Sequence, residues 1–231
     1  MPFPASGYAS ITSGAALAYG GWTLAWTAPQ EFDGLILTSG NQADNTIFNV
    51  GWGPPGSSAP TFTALNNWLT SPPSAPGILI PIKVPNGANI FVQSASTVAS
   101  EAVYVSFSGL PLGTLPDSQR GNQILSGNVS LAGNLIGAMA GSSSLQVTSS
   151  PLTVSAKRFW VVNQSTTFLE LGFGIGPSTS LVTKLATGLV NYSSSNGVVA
   201  QELPGFVPAG QNLFLVNDSG NSGQAALYYL I

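Results

Sequence analysis

The chain has 231 residues, of which 44% are apolar and 6% charged, whereas an average soluble protein is roughly 25% charged. Net charge is −3, the only cations are Lys83, Arg120, Lys157, Arg158 and Lys184, and there is neither histidine nor cysteine. Such a chain is too apolar and too weakly charged to be disordered, has too few clustered cations to displace counterions from nucleic acid, and lacks every thiolate and cysteine-based metal site.

A polar surface built from Ser, Thr, Asn, Gln and backbone carries little long-range repulsion. It is buried against a neighbour without stripping water from ions, which is the costly step. The composition therefore favours a protein that lives inside an assembly. The missing cysteines suit synthesis in a reducing cytoplasm.

The chain opens Met1-Pro2-Phe3-Pro4-Ala5-Ser6-Gly7, with no base, and the next stretch is broken by Ser10, Thr12, Ser13, Gly14, Gly20 and Gly21. A secretory signal wants a basic start and a run of strong hydrophobes, and a membrane span needs roughly 20 mainly apolar residues. Neither pattern is found, and residues 1–9 read as an extended arm.

A first unit is expected over 10–109. Leu35-Ile36-Leu37 reads as a strand, and Thr61 to Leu69 as one helical turn. The stretch 110–129, with Pro111, Gly113, Pro116, Asp117, Ser118 and Gly121, has linker composition. A second unit is expected over 130–231, with a helical turn at Leu131 to Ala140 and a strand at Phe159-Trp160-Val161-Val162.

The two units are copies. Residues 78–107 align without a gap on 201–230, with identities at Pro81/Pro204, Val84/Val207, Pro85/Pro208, Gly87/Gly210, Asn89/Asn212, Phe91/Phe214, Ser96/Ser219 and Ala102/Ala225. Proline two residues before glycine is turn chemistry, and the β-branched and aromatic run after it is a strand. A polar loop and a second run follow, Ala102 to Phe107 and Ala225 to Leu230. Each unit thus ends in what reads as a hairpin. Farther upstream, Val50-Gly51-Trp52-Gly53 matches Leu171-Gly172-Phe173-Gly174, and Gly20, Leu24 and Thr27 match Gly141, Leu145 and Thr148. Short strands with turn signals predict an all-β fold: two tandem antiparallel sandwiches of jelly-roll type, related by internal duplication.

The search for chemistry yields little. Without histidine there is no Ser-His dyad and no usual general base. No Ser-x-x-Lys spacing occurs. Glu31 and Asp33 would share a face of a strand, but they adjoin the Pro29-Gln30 turn, where acids serve turn hydrogen bonds. Gly172-Phe173-Gly174-Ile175-Gly176 has the wrong spacing and context for a phosphate loop. No cofactor, metal or catalytic residue is expected. The candidate contact residues are Phe3, Tyr8, Trp22, Trp26 and Trp68. The repeated residues Pro85, Gly87, Asn89, Phe91, Pro208, Gly210, Asn212 and Phe214 are given a structural role.

The Val-Pro-x-Gly-x-Asn-φ-Phe turn-strand, in a Ser/Gly/Asn-rich β texture without Cys or His, resembles virion proteins of tailed bacteriophages. The nearest class is capsid decoration, cement or head-spike proteins with β-sandwich units. The resemblance implies a non-enzymatic virion protein, made in the host cytoplasm. It would bind other virion proteins, the major capsid protein first, and act as a homo-oligomer without nucleic acid or membrane. A tail, baseplate or receptor-binding fibre component that takes glycan, and a secreted carbohydrate-binding module, are the alternatives.

Overall fold

The computed structural model describes residues 5–40, 44–70, 77–131, 135–191 and 198–231. The chain divides into unit 1, Met1–Ile124 with Leu131–Gly133, and unit 2, Leu125–Ser130 with Asn134–Ile231.

Unit 1 is built from β1 (Ser6–Thr12), β2 (Thr23–Thr27), β3 (Gly34–Gly40), β4 (Thr46–Gly53), β5 (Phe62–Thr70), β6 (Ile78–Ile80), β7 (Asn89–Ser96) and β8 (Ala102–Leu110). One sheet has the order β1-β8-β3-β6, and β5-β4-β7-β2 run side by side in a second. Consecutive strands lie in opposite sheets except β4 and β5. That is the jelly-roll path.

A 3₁₀ turn (Asp117–Gln119) and β9 (Ile124–Gly127) follow. Unit 2 then repeats the path. Its strands are β10 (Ala138–Met139), β11 (Ser143–Gln146), β12 (Ala156–Asn163), β13 (Leu169–Ile175), β14 (Thr183–Val190), β15 (Val199–Val207), β16 (Leu213–Asn217) and β17 (Gly223–Leu230). Here β10-β17-β12-β15 are neighbours on one side and β11-β16-β13-β14 on the other. The chain is therefore all-β, two jelly rolls related by duplication.

Alternation explains which residues are inside. In β8, Val103, Val105 and Phe107 are buried while Ala102, Tyr104 and Ser106 are not. In unit 2 the rings of Phe159 and Phe173 stack at 3.8 Å among Val161, Leu203, Leu213, Leu215 and Leu227.

The duplication is visible in hydrogen bonds as well as in order. Gly87 N–H donates to the Ala28 carbonyl and Ala28 N–H to the Ala88 carbonyl, at 2.8 and 2.9 Å. In unit 2, Gly210 donates to Leu152 and Leu152 to Gln211, again at 2.8 and 2.9 Å. Both glycines have positive φ, +76° and +87°, which a side chain disfavours. A Cβ on Gly87 would also lie 3.1 Å from the Pro55 ring, whereas one on Gly210 meets open space. Gly210→Ala is expected to cost about 1 kcal/mol and Gly87→Ala more. Urea titration of the two variants checks the order.

The structure corrects four expectations. The terminal strands of each unit are not hairpins: β7 pairs with β4 and β2, and β8 with β1 and β3, so the polar loop between them crosses from one sheet to the other. Residues 62–69 of the expected helical turn lie in the strand β5, and Ala138–Met139 is strand as well. Residues 6–9 of the expected arm pair with β8, Tyr8 opposite Ser106, while residues 1–4 lie outside the described residues. Finally, the gapless alignment slips in the last strand. It matches exposed Ala102 with buried Ala225, because the inward residues of β17 are Ala225, Leu227 and Tyr229. A one-residue difference in the preceding loop exchanges the faces.

Candidate functional site

The sequence-derived contact residues do not converge. Phe3 lies outside the described residues. Trp68 is buried at 1% exposure and has no surface to offer. Trp22 and Trp26 are half-buried. Trp26 packs against Phe32 with ring centroids 5.4 Å apart, and a Cβ on Gly7 would overlap its indole. Tyr8 is 61% exposed and stacks on Tyr104 at 5.8 Å.

Tyr8 marks a face that the sequence reading did not assemble. The outward residues of β1 are Ser6, Tyr8, Ser10 and Thr12; those of β8 are Tyr104, Ser106 and Ser108; those of β3 are Ile36 and Thr38. Register sets Tyr8 beside Ser106 and Thr38, and Ser10 beside Tyr104 and Gly40. Thr38 and Ser106 hydroxyls hydrogen-bond at 2.6 Å. Tyr8, Thr38, Ser39 and Tyr104 rim a shallow depression of about 250 Å³. Among the described residues, none of the outward side chains of β1, β3 and β8 is a carboxylate, lysine or arginine. The signal was alternation in each strand, but the partners β1 and β8 are far apart in sequence.

Elsewhere most of the cations are held in ion pairs. Lys83 pairs with Glu31, Arg120 with Asp33 and Asp117, Arg158 with Glu202, and Lys184 with Asp218. Four of the five cations are thus occupied. Glu31 and Asp33 do not form a carboxylate pair: Glu31 is at the surface, while Asp33 is fully buried. Burial alone would raise the Asp33 carboxyl. The Leu115 N–H at 3.0 Å, the Arg120 guanidinium and the Thr114 N–H outweigh it and hold the carboxyl below its usual range.

The repeated residues have structural work. Asn89 donates to the Ser57 carbonyl at 3.0 Å and accepts from Thr27 Oγ1 at 2.8 Å. Asn212 donates to the Gly176 carbonyl at 3.3 Å. Both asparagines tie the start of a strand to the loop after its neighbour, β4 or β13. Gly172-Phe173-Gly174-Ile175 lies in β13, which runs on to β14 with no helix after it. Two more asparagines were given no structural role by sequence reasoning. Asn163 and Asn217, both fully buried, each fold over a following Asn-x-Ser turn.

A second hollow, about 320 Å³, is lined by Trp52, Pro54, Pro55, Phe62 and Pro85 with Asn86 and Thr61 at its polar side. Among the described residues no three His, Cys, Asp or Glu side chains gather to hold a metal, and no helix is long and apolar enough to cross a membrane.

No family model matches the chain and no curated protein matches it. Several solved structures are similar over nearly the whole length. The STIV MCP aligns at 9% identity with a TM-score of 0.42, over 98% of this chain and 96% of its own. A223, a turret protein in Sulfolobus turreted icosahedral virus, aligns at 12% identity and a TM-score of 0.24, over 99% and 98%. Vicilin from Capsicum annuum aligns at 9% identity and a TM-score of 0.24, over 90% and 75%.

Proposed function

We propose that this is a non-enzymatic structural protein of a virion, and that it binds the capsid surface as a decoration, cement or minor head protein. The observation that carries the reading is the uncharged Tyr/Ser/Thr face of β1, β8 and β3. Such a face meets a neighbour without desolvating ions, and its tyrosines supply rigid amphipathic contact area. Jelly rolls are a recurrent architecture of viral shells, though they serve lectins and cupins too, so the reading rests on the face and not on the fold. The pairing of most cations elsewhere fits the same life in an assembly.

The test is retention on purified particles. Tyr8→Glu places a carboxylate on the face at an exposed position. It is expected to reduce the amount co-sedimenting with particles at least tenfold while leaving the thermal midpoint within a few degrees of the parent. Cryo-EM density for the protein on the head supports the reading. Turnover of a substrate, or full retention of the Tyr8→Glu variant, sinks it.

A further inference from the structure

The duplication supplies an internal control for edge strands. β5 and β14 hold the same place in the two jelly rolls, each paired with the strand before it at the end of that unit's sheet. In unit 1 the outer edge of β5 receives Ile124, bridged in parallel to Leu65, and five of the nine β5 residues are buried. In unit 2 only Val190 of the eight β14 residues is buried. Leu185 and Leu189 are 44% and 62% exposed, and Leu181, just before the strand, is 66% exposed. Among the described residues no strand hydrogen-bonds to the outer edge of β14, and an edge strand with exposed leucines is a template for another strand.

Which strand it takes follows from its own pattern. Leu185-Ala-Thr187-Gly-Leu189 places leucine, threonine and leucine two residues apart, so it reads alike in both directions. An antiparallel copy centred on Thr187 sets leucine opposite leucine. The strand's one charge, Lys184, is already held by Asp218, so the pairing brings no like charges together. Edge strands β1, β2 and β15 each expose one large apolar side chain, Tyr8, Leu24 and Phe206, and offer a poorer match. Leu185 is also the extra residue where the ladder to β13 skips between Lys184 and Ala186, and its side chain remains in solvent.

We infer that β14 is a self-association edge: two copies of the chain pair their β14 strands antiparallel about a two-fold axis through Thr187, each Leu185 facing the other's Leu189. The contact is isologous and closes as a dimer. It rests on the reading of an assembling shell protein and names one contact between its copies.

Because the chain has no cysteine, one introduced thiol is unique. Residues opposite in an antiparallel pair have Cα atoms about 4.5–5.5 Å apart, within disulfide reach. Full-length Thr187→Cys is expected to form a disulfide dimer under mild oxidation at least tenfold faster than Thr183→Cys, which is also exposed but far from the axis. Adding Leu189→Lys to Thr187→Cys removes that advantage, and sedimentation velocity of Leu189→Lys alone shows monomer where the parent shows dimer. Equal cross-linking rates at 187 and 183, or an undiminished rate with Leu189→Lys, overturn the contact. Failure to cross-link with particle retention intact overturns this contact alone. Cross-linking with no particle retention overturns the shell reading alone.

Discussion

Asn217→Ala is expected to lower the stability of unit 2 by about 3 kcal/mol, from the cost of leaving several buried polar groups unpaired. Asn217 lies where β16 ends and the chain crosses to the opposite sheet. Its amide donates to the carbonyls of Ala140 at 3.0 Å and Asn221 at 2.9 Å. Its oxygen accepts from the Ser219 N–H at 3.1 Å and hydroxyl at 2.7 Å. One side chain thus satisfies two carbonyls and two donors where water has little access. Asn217→Asp keeps shape and acceptor but turns an anionic oxygen toward both carbonyls. At pH 7 it should destabilise at least as much as alanine, and part of the loss should return in acid, when the protonated carboxyl donates to one carbonyl. Denaturant midpoints at pH 7 and pH 3 check both statements. An aspartate variant as stable as the parent at pH 7 would show that the amide donors matter little. Asn163 should behave alike, since it donates to the carbonyls of Thr167, Val190 and Asn191 at 2.9, 3.2 and 3.1 Å.

Arg120→Ala is expected to cost about 3–5 kcal/mol, the usual penalty for leaving a buried charge without its partner. Asp33 is fully buried, and Arg120 reaches it from the segment that follows β8 while also pairing with Asp117. The pair therefore fastens residues 115–120 onto unit 1, with help from the Leu115 N–H. The pH dependence follows from the depressed carboxyl. A carboxyl whose folded pKa lies below its unfolded value contributes stability that is full above the unfolded value, about 3.9, and fades as pH falls through the folded one. In the parent, this contribution should be flat from neutral pH to about 4.5 and decline below. The penalty of Arg120→Ala should be largest near pH 7 and shrink in acid, where Asp33 is neutral and needs no partner. Midpoints at pH 7 and pH 3 measure it, and a penalty that grows in acid would contradict the assignment.

What the sequence disclosed depended on how local the determining physics was. The Pro-x-Gly turn and the strand after it were legible in both copies, because Gly87 and Gly210 must take positive φ and the strand after each has its own composition. The all-β class was legible for the same reason. The hairpin was misread because period-two alternation marks a strand but says nothing about which sheet it joins, and β7 and β8 join different ones. β5 was misread because Asn66-Asn67 interrupts its alternation. Asn67 has positive φ, and its N–H donates to the Asn49 side chain at 2.7 Å across an irregular stretch of the β4–β5 ladder. The Tyr8 face was not legible at all, since it needs β1, β8 and β3 side by side. Trp68 was wrongly offered to a partner because a large aromatic in a polar context, Asn66-Asn67-Trp68, gives no hint that the strand's inner face has claimed it.

The path of the strands also sets a timetable for the newborn chain. β1 must wait for β8, since residues 6–12 pair with 102–108. At about 5–20 residues per second, translation leaves that partner missing for on the order of 5–20 s. The second jelly roll waits likewise for β17, which lies between β10 and β12. During each interval the leading strands carry unpaired amides and apolar faces through a crowded cell. Their scarcity of charge gives them little electrostatic protection on the way. Yield in an expressing cell should therefore depend more steeply on holdase chaperones and on temperature than the stability of the folded protein would suggest.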